Sequence, residues 1–274
     1  MKKIAVVGLG IIGGSICAAL TKAGFEVDGF DSNQQSVDFA LQAGYISSQG
    51  KTLADYEVVF LSVPPYATIE YLDNGAYKDN ALVCDICGVK KRLEELVYSK
   101  KRNYRYVGLH PMAGKETSGI ISASSELFRN ANIIITRANA TDEQSVAEIK
   151  QYLSAMGFGK IVACSAEAHD KKIALTSQLA HIVSNAYVKS KEVQGCDGFT
   201  GGSFQDMTRI AGVDEKMWTQ LYMCNRTPIL DELNGLIDEL TVYRNALANE
   251  DAQALSDALK AGRLIRETIK RGND

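Results

Sequence analysis

The chain has 274 residues, 46% apolar side chains and a formal net charge of −3. This length fits one large domain or two. A groove built for nucleic acid would need a basic excess, which the composition lacks. No apolar run approaches the roughly 18 residues of a membrane-spanning helix. The first residues lead into a strand-like run rather than a signal-peptide core, so we expect a cytosolic protein.

Two of the six cysteines form a CxxC pair, Cys84 and Cys87. A redox CxxC usually opens a helix, and a four-cysteine zinc site needs a second pair, which the sequence lacks. The run "ALVCDICGVKK" is instead typical of a strand that passes into a loop. The pattern therefore predicts reduced, buried thiols and no metal site. The remaining cysteines are Cys17, Cys164, Cys196 and Cys224.

The first part of the chain alternates strand-like and helix-like patterns. The run "KKIAVVGLG" predicts a strand, "IIGGSICAALTKAG" a helix, "FEVDGFD" a strand, "QQSVDFALQAG" a helix and "VVFLSVP" a strand. Further strands are predicted at "ALVCDI", "RYVGLH", "NIIITR" and "KIVACS". Strands separated by helical stretches imply right-handed crossovers and a parallel sheet covered on both faces. We therefore predict a doubly wound α/β domain over residues 1–164.

From Ser165 onward the pattern is helical, with apolar residues at three- and four-residue spacing. No convincing strand remains in this part of the sequence. Helices this long and apolar need a large partner surface, because packing of the apolar stripe is what mainly stabilises a helix. We predict an all-α domain over residues 165–274 that forms a homodimer, although these helices could also satisfy one another.

A glycine-rich turn, "VVGLGIIGGS", connects the first predicted strand to the first predicted helix. In the Gly8-x-Gly10-x-x-Gly13 pattern, the three glycines allow a tight turn, a close approach to a pyrophosphate, and close helix–strand packing. The helix N-terminus, with Ile12, would offer N–H groups to the phosphates. Asp31 ends the second strand, where a carboxylate binds both ribose hydroxyls and repels a 2′-phosphate. The pattern predicts NAD rather than NADP.

The carboxyl edge of the predicted sheet carries further candidates, because ligands of such sheets lie there. Val63 and Pro64 are expected to border the nicotinamide, although Pro64 could equally act only as a strand terminator. His110 follows "RYVGL" at the same edge. An enzyme that oxidises an alcohol needs a group to take the hydroxyl proton, and an imidazole, with an ordinary pKa of about 6.5, suits that role. We predict that His110 is the catalytic base.

The second part contributes two more histidines and an arginine. His169 and His181 are 12 residues apart, so on a continuous α-helix they differ by roughly 120° and do not share one face cleanly. From spacing alone, His181 fits a core position as well as a functional one. Arg209 could pair only with Asp206, three residues earlier. Its planar fork after a Gly-Gly turn also suits a substrate carboxylate.

Taken together, these residues resemble the prephenate/arogenate dehydrogenase family of tyrosine biosynthesis. The matching stretches run in the family's order over nearly the whole chain: "VVGLGIIGGS", "LSVP", "GLHPMAGKETSG", "HDKKIALTSQLAH" and "GGSFQDMTRIAGVDEKMW". The HPMAG-x-E stretch and the GG-x-F-x-D-x-x-R run are far more specific than the glycine pattern. The resemblance implies a Rossmann domain followed by a helical dimerisation domain, in agreement with the periodicity.

The resemblance also implies roles for individual residues. His110 matches the histidine that binds the ring hydroxyl and assists hydride removal. His181 matches a histidine near the substrate, and Arg209 matches the arginine that recognises a substrate carboxylate. The same resemblance implies further substrate-site residues, two of them acidic: Glu116, Asp206, Gly202 and Trp218, the last near the dimer partner.

One position departs from the family's pattern. The family commonly has a D-x-G-S-V-K run, whose serine supports the catalytic histidine. Here the run reads "DICGVK", so that Gly88 stands in place of the serine. Loss of that hydroxyl would cost about one to three kcal/mol of transition-state stabilisation unless water or a main-chain N–H replaces it.

The sequence therefore predicts NAD-dependent oxidative decarboxylation of prephenate to 4-hydroxyphenylpyruvate, with arogenate, which would give tyrosine, as the alternative substrate. Two other interpretations remain. One is a β-hydroxyacid dehydrogenase, whose lysine would be Lys171 or Lys172. The other is an NAD-binding regulator without turnover. A regulator needs no base, so the combination of His110, His181 and Arg209 argues against it.

Overall fold

The computed structural model describes residues 2–114, 117–138 and 141–269. By its contacts the chain divides into two compact units, Met1–Arg226 and Thr227–Asp274. The first unit contains an eight-stranded sheet and most of the helices, and the second contains a pair of long helices. The predicted boundary between residues 164 and 165 separates the last strand from the helical part, and as a domain boundary it stays a prediction.

The sheet has the strand order β3-β2-β1-β4-β5-β6-β7-β8. Strands β1 to β6 are parallel to one another, and their order is that of a doubly wound fold, whose ligands bind where the order reverses beside β1. In chain order the strands are β1 (Ile4–Val7), β2 (Val27–Phe30), β3 (Ser48–Gln49), β4 (Val58–Leu61), β5 (Leu82–Asp85), β6 (Arg105–Pro111), β7 (Ile133–Thr136) and β8 (Ile161–Cys164).

The last two strands correct the prediction of a wholly parallel sheet. Strand β7 pairs with β6 antiparallel, and β8 is parallel to β7. A parallel neighbour requires a crossover, usually a helix, to return the chain to the starting edge. Between β6 and β7 the described residues form only one short 3₁₀ turn, Ile120–Ser122. The chain therefore turns back alongside β6.

Eleven α-helices surround and follow the sheet within the described ranges. Helices α6 and α7 are joined by a π-helical segment, Ala174–Leu179. After Cys164 the structure has no strand as far as Ile269, as the sequence predicted. The helices are α1 (Ile11–Lys22), α2 (Gln34–Gln42), α3 (Pro65–Asn74), α4 (Lys91–Tyr98), α5 (Glu143–Ala155), α6 (Ala166–Ile173), α7 (Ala180–Tyr187), α8 (Gly202–Thr208), α9 (Glu215–Cys224), α10 (Arg226–Ala248) and α11 (Ala252–Thr268).

Both faces of the central sheet are buried. Val6 and Phe60 belong to one apolar cluster together with side chains of α1 and α5. Val7 and Leu61, their neighbours in sequence, point to the opposite face and pack with side chains of α3 and α4, since successive strand residues alternate between faces. Each fully buried aliphatic side chain contributes about 1.5–3 kcal/mol. The core therefore fixes the carboxyl edges of β1, β4, β5 and β6 relative to one another.

The second unit leaves much of its apolar surface exposed. On α10, Ile237 is 49% and Leu240 56% exposed, and on α11 Leu264 is 47% exposed. The Tyr243 hydroxyl donates to the Ala258 carbonyl at 3.4 Å, which ties the two helices together. Two helices that pack only on each other can each bury one apolar face, so apolar side chains on their other faces stay exposed. Within the part of the chain that is described, no helix combines the length and apolarity that crossing a membrane requires.

All six cysteines carry free thiols. Cys17, Cys84 and Cys87 are buried, as predicted, whereas the other three are only partly buried. Burial raises the pKa of the Cys87 thiol to about 12. The CxxC pair therefore consists of protonated, inert thiols at neutral pH.

Candidate active site

The glycine turn lies at the carboxyl end of β1. Gly8 has a φ of +91°, and a Cβ there would lie 2.2 Å from the Ser62 carbonyl oxygen. A Cβ on Gly13 would lie 1.8 Å from the Gly8 carbonyl oxygen. Only glycine fits at either position, because the turn needs a left-handed conformation and α1 packs directly on the turn. A Cβ on Gly10 would meet nothing within 4 Å, so this side of the backbone is open to a ligand.

The start of α1 and the end of β2 complete the fit to a dinucleotide. Gly10 caps α1 without a side-chain hydrogen bond, so the first turn, which includes Ile12, presents N–H groups and the positive end of the helix dipole. Asp31 accepts hydrogen bonds from the N–H groups of Leu9 at 2.6 Å and Asn33 at 2.8 Å. Each of its oxygens has a further lone pair for a ribose hydroxyl.

Val63 and Pro64 follow β4 next to this turn. The Val63 Cγ1 atom would be 2.8 Å from a Cβ on Gly8. Pro64 is the N-cap residue of α3, and Pro65 is its first residue, where a proline fits because no N–H is needed. The structure thus gives Pro64 a helix-starting role, and contact of Val63 and Pro64 with the nicotinamide stays a prediction.

His110 lies at the carboxyl edge of the sheet, on β6 beside the parallel strand β5. Its Nδ1 is 2.8 Å from Nε2 of His169. The Nδ1 of His169 is 2.7 Å from Oδ1 of Asp170. The Asp170 carboxylate also accepts the main-chain N–H groups of Lys90 and Lys91, each at 2.9 Å. We refer to His110, His169 and Asp170 as the His110 triad.

The hydrogen-bond directions within the His110 triad follow from the carboxylate. Asp170 acts only as an acceptor, so His169 donates to it from Nδ1. The Nε2 of His169 must then accept, and His110 donates to it from Nδ1. His110 is left with an unprotonated Nε2, which is the atom that a general base presents to a substrate hydroxyl.

The surroundings keep both imidazoles neutral. Burial lowers the pKa of His110 well below its ordinary value, and the neighbouring His169 and the charge of Lys90 lower it further. Burial also lowers the pKa of His169, although its hydrogen bond to Asp170 acts in the opposite direction. His110 is therefore neutral at neutral pH, with its Nε2 unprotonated.

Gly88 lies beside the proton-accepting atom. A Cβ on Gly88 would be 3.7 Å from Nε2 and Cε1 of His110 and 3.4 Å from Cδ2 of Leu221, which are ordinary contact distances. This is the position where the resemblance leads one to expect a serine hydroxyl. Support for His110 comes instead from the opposite side of the ring, through the bond from Nδ1 to His169.

His181 lies on α7 and packs on the single tryptophan. Its Nδ1 donates to the Ser177 carbonyl at 2.9 Å. The rings of His181 and Trp218 have centroids 4.0 Å apart and an interplanar angle of 35°. Both side chains are half-buried, so a substrate can reach them.

The π-helical segment changes the angular relation between His169 and His181. The expected offset of roughly 120° assumed an uninterrupted α-helix. A π turn accommodates one extra residue, which is about 100° of α-helical rotation, so the offset falls to roughly 20°. The two histidines therefore share a face of the α6–α7 pair.

Helix α9 connects His181 to the His110 triad. Trp218 stacks on His181, and Leu221 faces Gly88 beside His110. Residues three apart lie on the same face of a helix, so both histidines border one side of α9. The Tyr66 N–H donates to Oε1 of Gln220 at 3.1 Å, which holds α9 against the start of α3.

Three of the remaining predicted substrate residues, Gly202, Asp206 and Arg209, lie on or next to α8. This helix is bound to α7 by the hydrogen bond from the Ser184 hydroxyl to the Met207 carbonyl at 2.6 Å, and Asn185 donates to the Ala211 carbonyl, just after α8, at 3.1 Å. It therefore adjoins the helix of His181, whereas convergence with His110 stays a prediction. Glu116 lies outside the described residues. Gly202, Asp206 and Arg209 are all exposed.

Sequence reasoning missed three residues of this candidate site, namely His169, Asp170 and Lys90. The adjacent pair "HD" in the run "HDKKIALTSQLAH" was the available signal. Its partner His110 is 59 residues away, so no local spacing could show the contact. The lysines considered for a β-hydroxyacid dehydrogenase, Lys171 and Lys172, are exposed on α6.

This protein has a doubly wound sheet, a glycine turn at the end of β1 and a neutral imidazole at the same edge of the sheet. These features together are those of an NAD-dependent dehydrogenase. Two family models divide the chain between them. "Prephenate dehydrogenase, nucleotide-binding domain" matches residues 16–162, and "Prephenate dehydrogenase, dimerization domain" matches residues 165–261. The chain belongs to the prephenate dehydrogenase family.

Individual relatives agree with this assignment. A prephenate dehydrogenase of Lactococcus lactis is 30% identical over 98% of this chain and 78% of its own length. A cyclohexadienyl dehydrogenase of Zymomonas mobilis is 30% identical over 100% of this chain and 98% of its own length. The crystal structure of prephenate dehydrogenase from A. aeolicus in complex with hydroxyphenyl propionate and NAD+ is similar with a TM-score of 0.85 and 27% identity, covering 98% of this chain and 99% of that chain.

Proposed function

We propose that the protein catalyses the NAD-dependent oxidative decarboxylation of prephenate to 4-hydroxyphenylpyruvate, carbon dioxide and NADH. The observation that carries this proposal is the chain of contacts from His110 Nδ1 through His169 to Asp170, at the sheet edge where the glycine turn lies. Membership of the family supports the substrate class, and the NAD-bound relative supports the cofactor.

The cofactor would be held by the residues at the end of β1 and β2. When bound, NAD accepts a hydride from the ring carbon that carries the substrate hydroxyl. The glycine turn fits this cofactor, because the open side of the backbone at Gly10 admits a pyrophosphate and Asp31 retains acceptors for a ribose. The proposed cofactor residues are Gly8, Gly10, Ile12, Gly13, Asp31, Val63 and Pro64.

His110 handles the proton in this reaction. Its Nε2 takes the hydroxyl proton as the C–O bond gains double-bond character, and the resulting imidazolium is stabilised through His169 by the Asp170 carboxylate. The substrate's ring carboxylate then leaves as carbon dioxide, and the electron pair of the broken C–C bond enters the ring. The phenolic oxygen regains the proton from His110, so no net proton is released. Aromatisation supplies most of the driving force, and the protein supplies mainly orientation.

We propose that the helices after β8 hold the substrate. Arg209 would bind a carboxylate through its planar fork, and His181 and Trp218 would line the pocket next to the ring. The attachment of α8 to α7 supports this arrangement. Glu116, Asp206 and Gly202 complete the proposed set.

Arogenate is the second candidate substrate. The cyclohexadienyl dehydrogenase of Z. mobilis, which matches the full chain, favours this possibility because its name covers the substrate class and not one member of it. Steady-state kinetics with prephenate and arogenate, each with NAD and with NADP, test the proposal. Formation of NADH from neither substrate would contradict it, and a preference for NADP would contradict the assignment of Asp31.

We also propose that two copies associate through the helical part. The model matched by residues 165–261 is named a dimerization domain, and Ile237 and Leu240 expose apolar side chains on α10. A cytoplasmic location likewise stays a prediction.

A further inference from the structure

A buried ion pair between Lys90 and Asp85 lies next to the His110 triad, and no step of the reaction uses it. Both side chains are fully excluded from solvent. The Lys90 ammonium contacts Oδ1 of Asp85, which also accepts the Cys87 N–H at 2.9 Å. The Tyr106 hydroxyl donates to Oδ2 at 2.5 Å. Asp85 is thus held by donors on both oxygens, and Lys90 is held by Asp85.

The absence of a side chain at Gly108 makes room for this ion pair. Gly108 is two residues before His110, so both positions face the same side of β6. A Cβ on Gly108 would lie 2.4 Å from Oγ1 of Thr136, 3.1 Å from the Tyr106 hydroxyl and 3.2 Å from Cδ of Lys90. The Lys90 side chain therefore lies against the strand immediately before the catalytic base.

Lys90 influences the His110 triad in two ways. Its main-chain N–H binds Oδ1 of Asp170 at 2.9 Å. Its charge, after burial as the larger cause, lowers the pKa of both His110 and His169. Protonation of either imidazole would place a second positive charge in the same buried region, which is unfavourable.

The other titratable groups in this region do not supply a competing positive charge. Burial raises the pKa values of Tyr106, Cys87 and Glu94, so the tyrosine and the thiol are neutral at working pH. The titratable groups that face Lys90 and the imidazoles from β5, the loop after it, α4, β6 and α6 are Asp85, Cys87, Glu94, Tyr106 and Asp170.

We propose that Lys90 is a positioning residue for His110. Its main chain anchors the Asp170 end of the triad, and its ammonium, held by Asp85 in the space that Gly108 leaves, disfavours a second proton on either imidazole until the substrate supplies one. This inference rests on the proposed role of His110 as the base. It identifies a charged group that acts together with burial to disfavour protonation of this base.

Histidine ring-nitrogen NMR tests the inference directly, because the chain has only three histidines. Protein labelled with ¹⁵N-histidine reports the protonation state and tautomer of each ring without turnover. In Lys90→Met the pKa of His110 should rise, and the acid limb of kcat/KM should move upward by the same amount. Lys172→Met is the matched control, since it removes an exposed charge three residues after His169 and should change neither quantity.

A second variant covers the case in which Lys90→Met does not fold because Asp85 loses its partner. The double variant Asp85→Asn/Lys90→Met removes both charges at nearly constant volume, and it should still raise the pKa of His110. In the unaltered protein at about pH 6, both His110 and His169 should be unprotonated at Nε2. Protonated His110 at that pH, or an unchanged pKa in the double variant, would overturn the inference. Failure to oxidise prephenate or arogenate would remove the proposed function while leaving the NMR result intact.

Discussion

Replacement of His169 by Asn tests whether His110 needs a partner at its Nδ1 atom. The Asn amide ends about where the imidazole Nδ1 lies, so it can face Asp170 but cannot reach His110. The lost bond measures 2.8 Å, and it becomes charge-assisted when His110 takes the proton. A hydrogen bond to a charged group contributes about 1.5–3 kcal/mol. This energy corresponds to a roughly 10- to 160-fold fall in kcat/KM.

His169→Gln is the matched variant. The longer side chain ends near the position of the imidazole Nε2, so its amide oxygen can accept the proton of His110 Nδ1, although it gives up the contact to Asp170. We expect Gln to recover a substantial part of the activity lost in Asn. The assay is the absorbance of NADH formed from prephenate at saturating NAD, with circular dichroism to confirm the fold. Native activity in the Asn variant, or equal losses in both folded variants, would refute the reasoning.

Three further predictions concern the base, the pH dependence of stability and the assembly. His110→Asn should lower kcat about 10²- to 10⁴-fold with unchanged NAD affinity by titration calorimetry, and native turnover would exclude His110 as the base. Stability measured by urea unfolding should fall as the pH drops below about 6.5, because His110 and His169 have depressed pKa values when folded and the unfolded chain binds more protons. The fall should approach about 1.4 kcal/mol per pH unit for each histidine and be shallower in His110→Asn, and equal slopes would contradict this cause. Ile237→Lys with Leu240→Lys should convert a dimer to a monomer in sedimentation, whereas Glu239→Lys should not, and dimers in both would place the interface elsewhere.

The cofactor-binding half of the molecule could be predicted from sequence because its determinants are local. The three glycines of the first turn act through backbone conformation and close contact, and the structure shows both effects at Gly8 and Gly13. The apolar runs of β4 and β5 indicated strands buried on both faces, since such strands lack alternation. Nothing in these steps required knowledge of a distant residue.

The catalytic surroundings could not be predicted in the same way, because they depend on contacts across long separations. His110 meets His169 across 59 residues, and Lys90 meets Asp170 across 80. The direction of β7 depended on the lack of a crossover helix, which a strand-like run does not reveal. The run "DICGVK" showed the change at Gly88, but the use of Lys90 as a buried cation appears only once Gly108 and Tyr106 are in place.

The irregular turn at Ala174–Leu179 has a consequence for any shortening of the chain. Deletion of one residue there would leave an ordinary i→i+4 helix in which His169 and His181, then 11 residues apart, keep their offset of roughly 20°. A regular α-helix of unchanged length would instead rotate α7, with α8 attached to it, by about 100° and turn His181 away from the face that His169 occupies. The chain therefore tolerates the loss of one residue at this turn better than a straightening of the turn at full length.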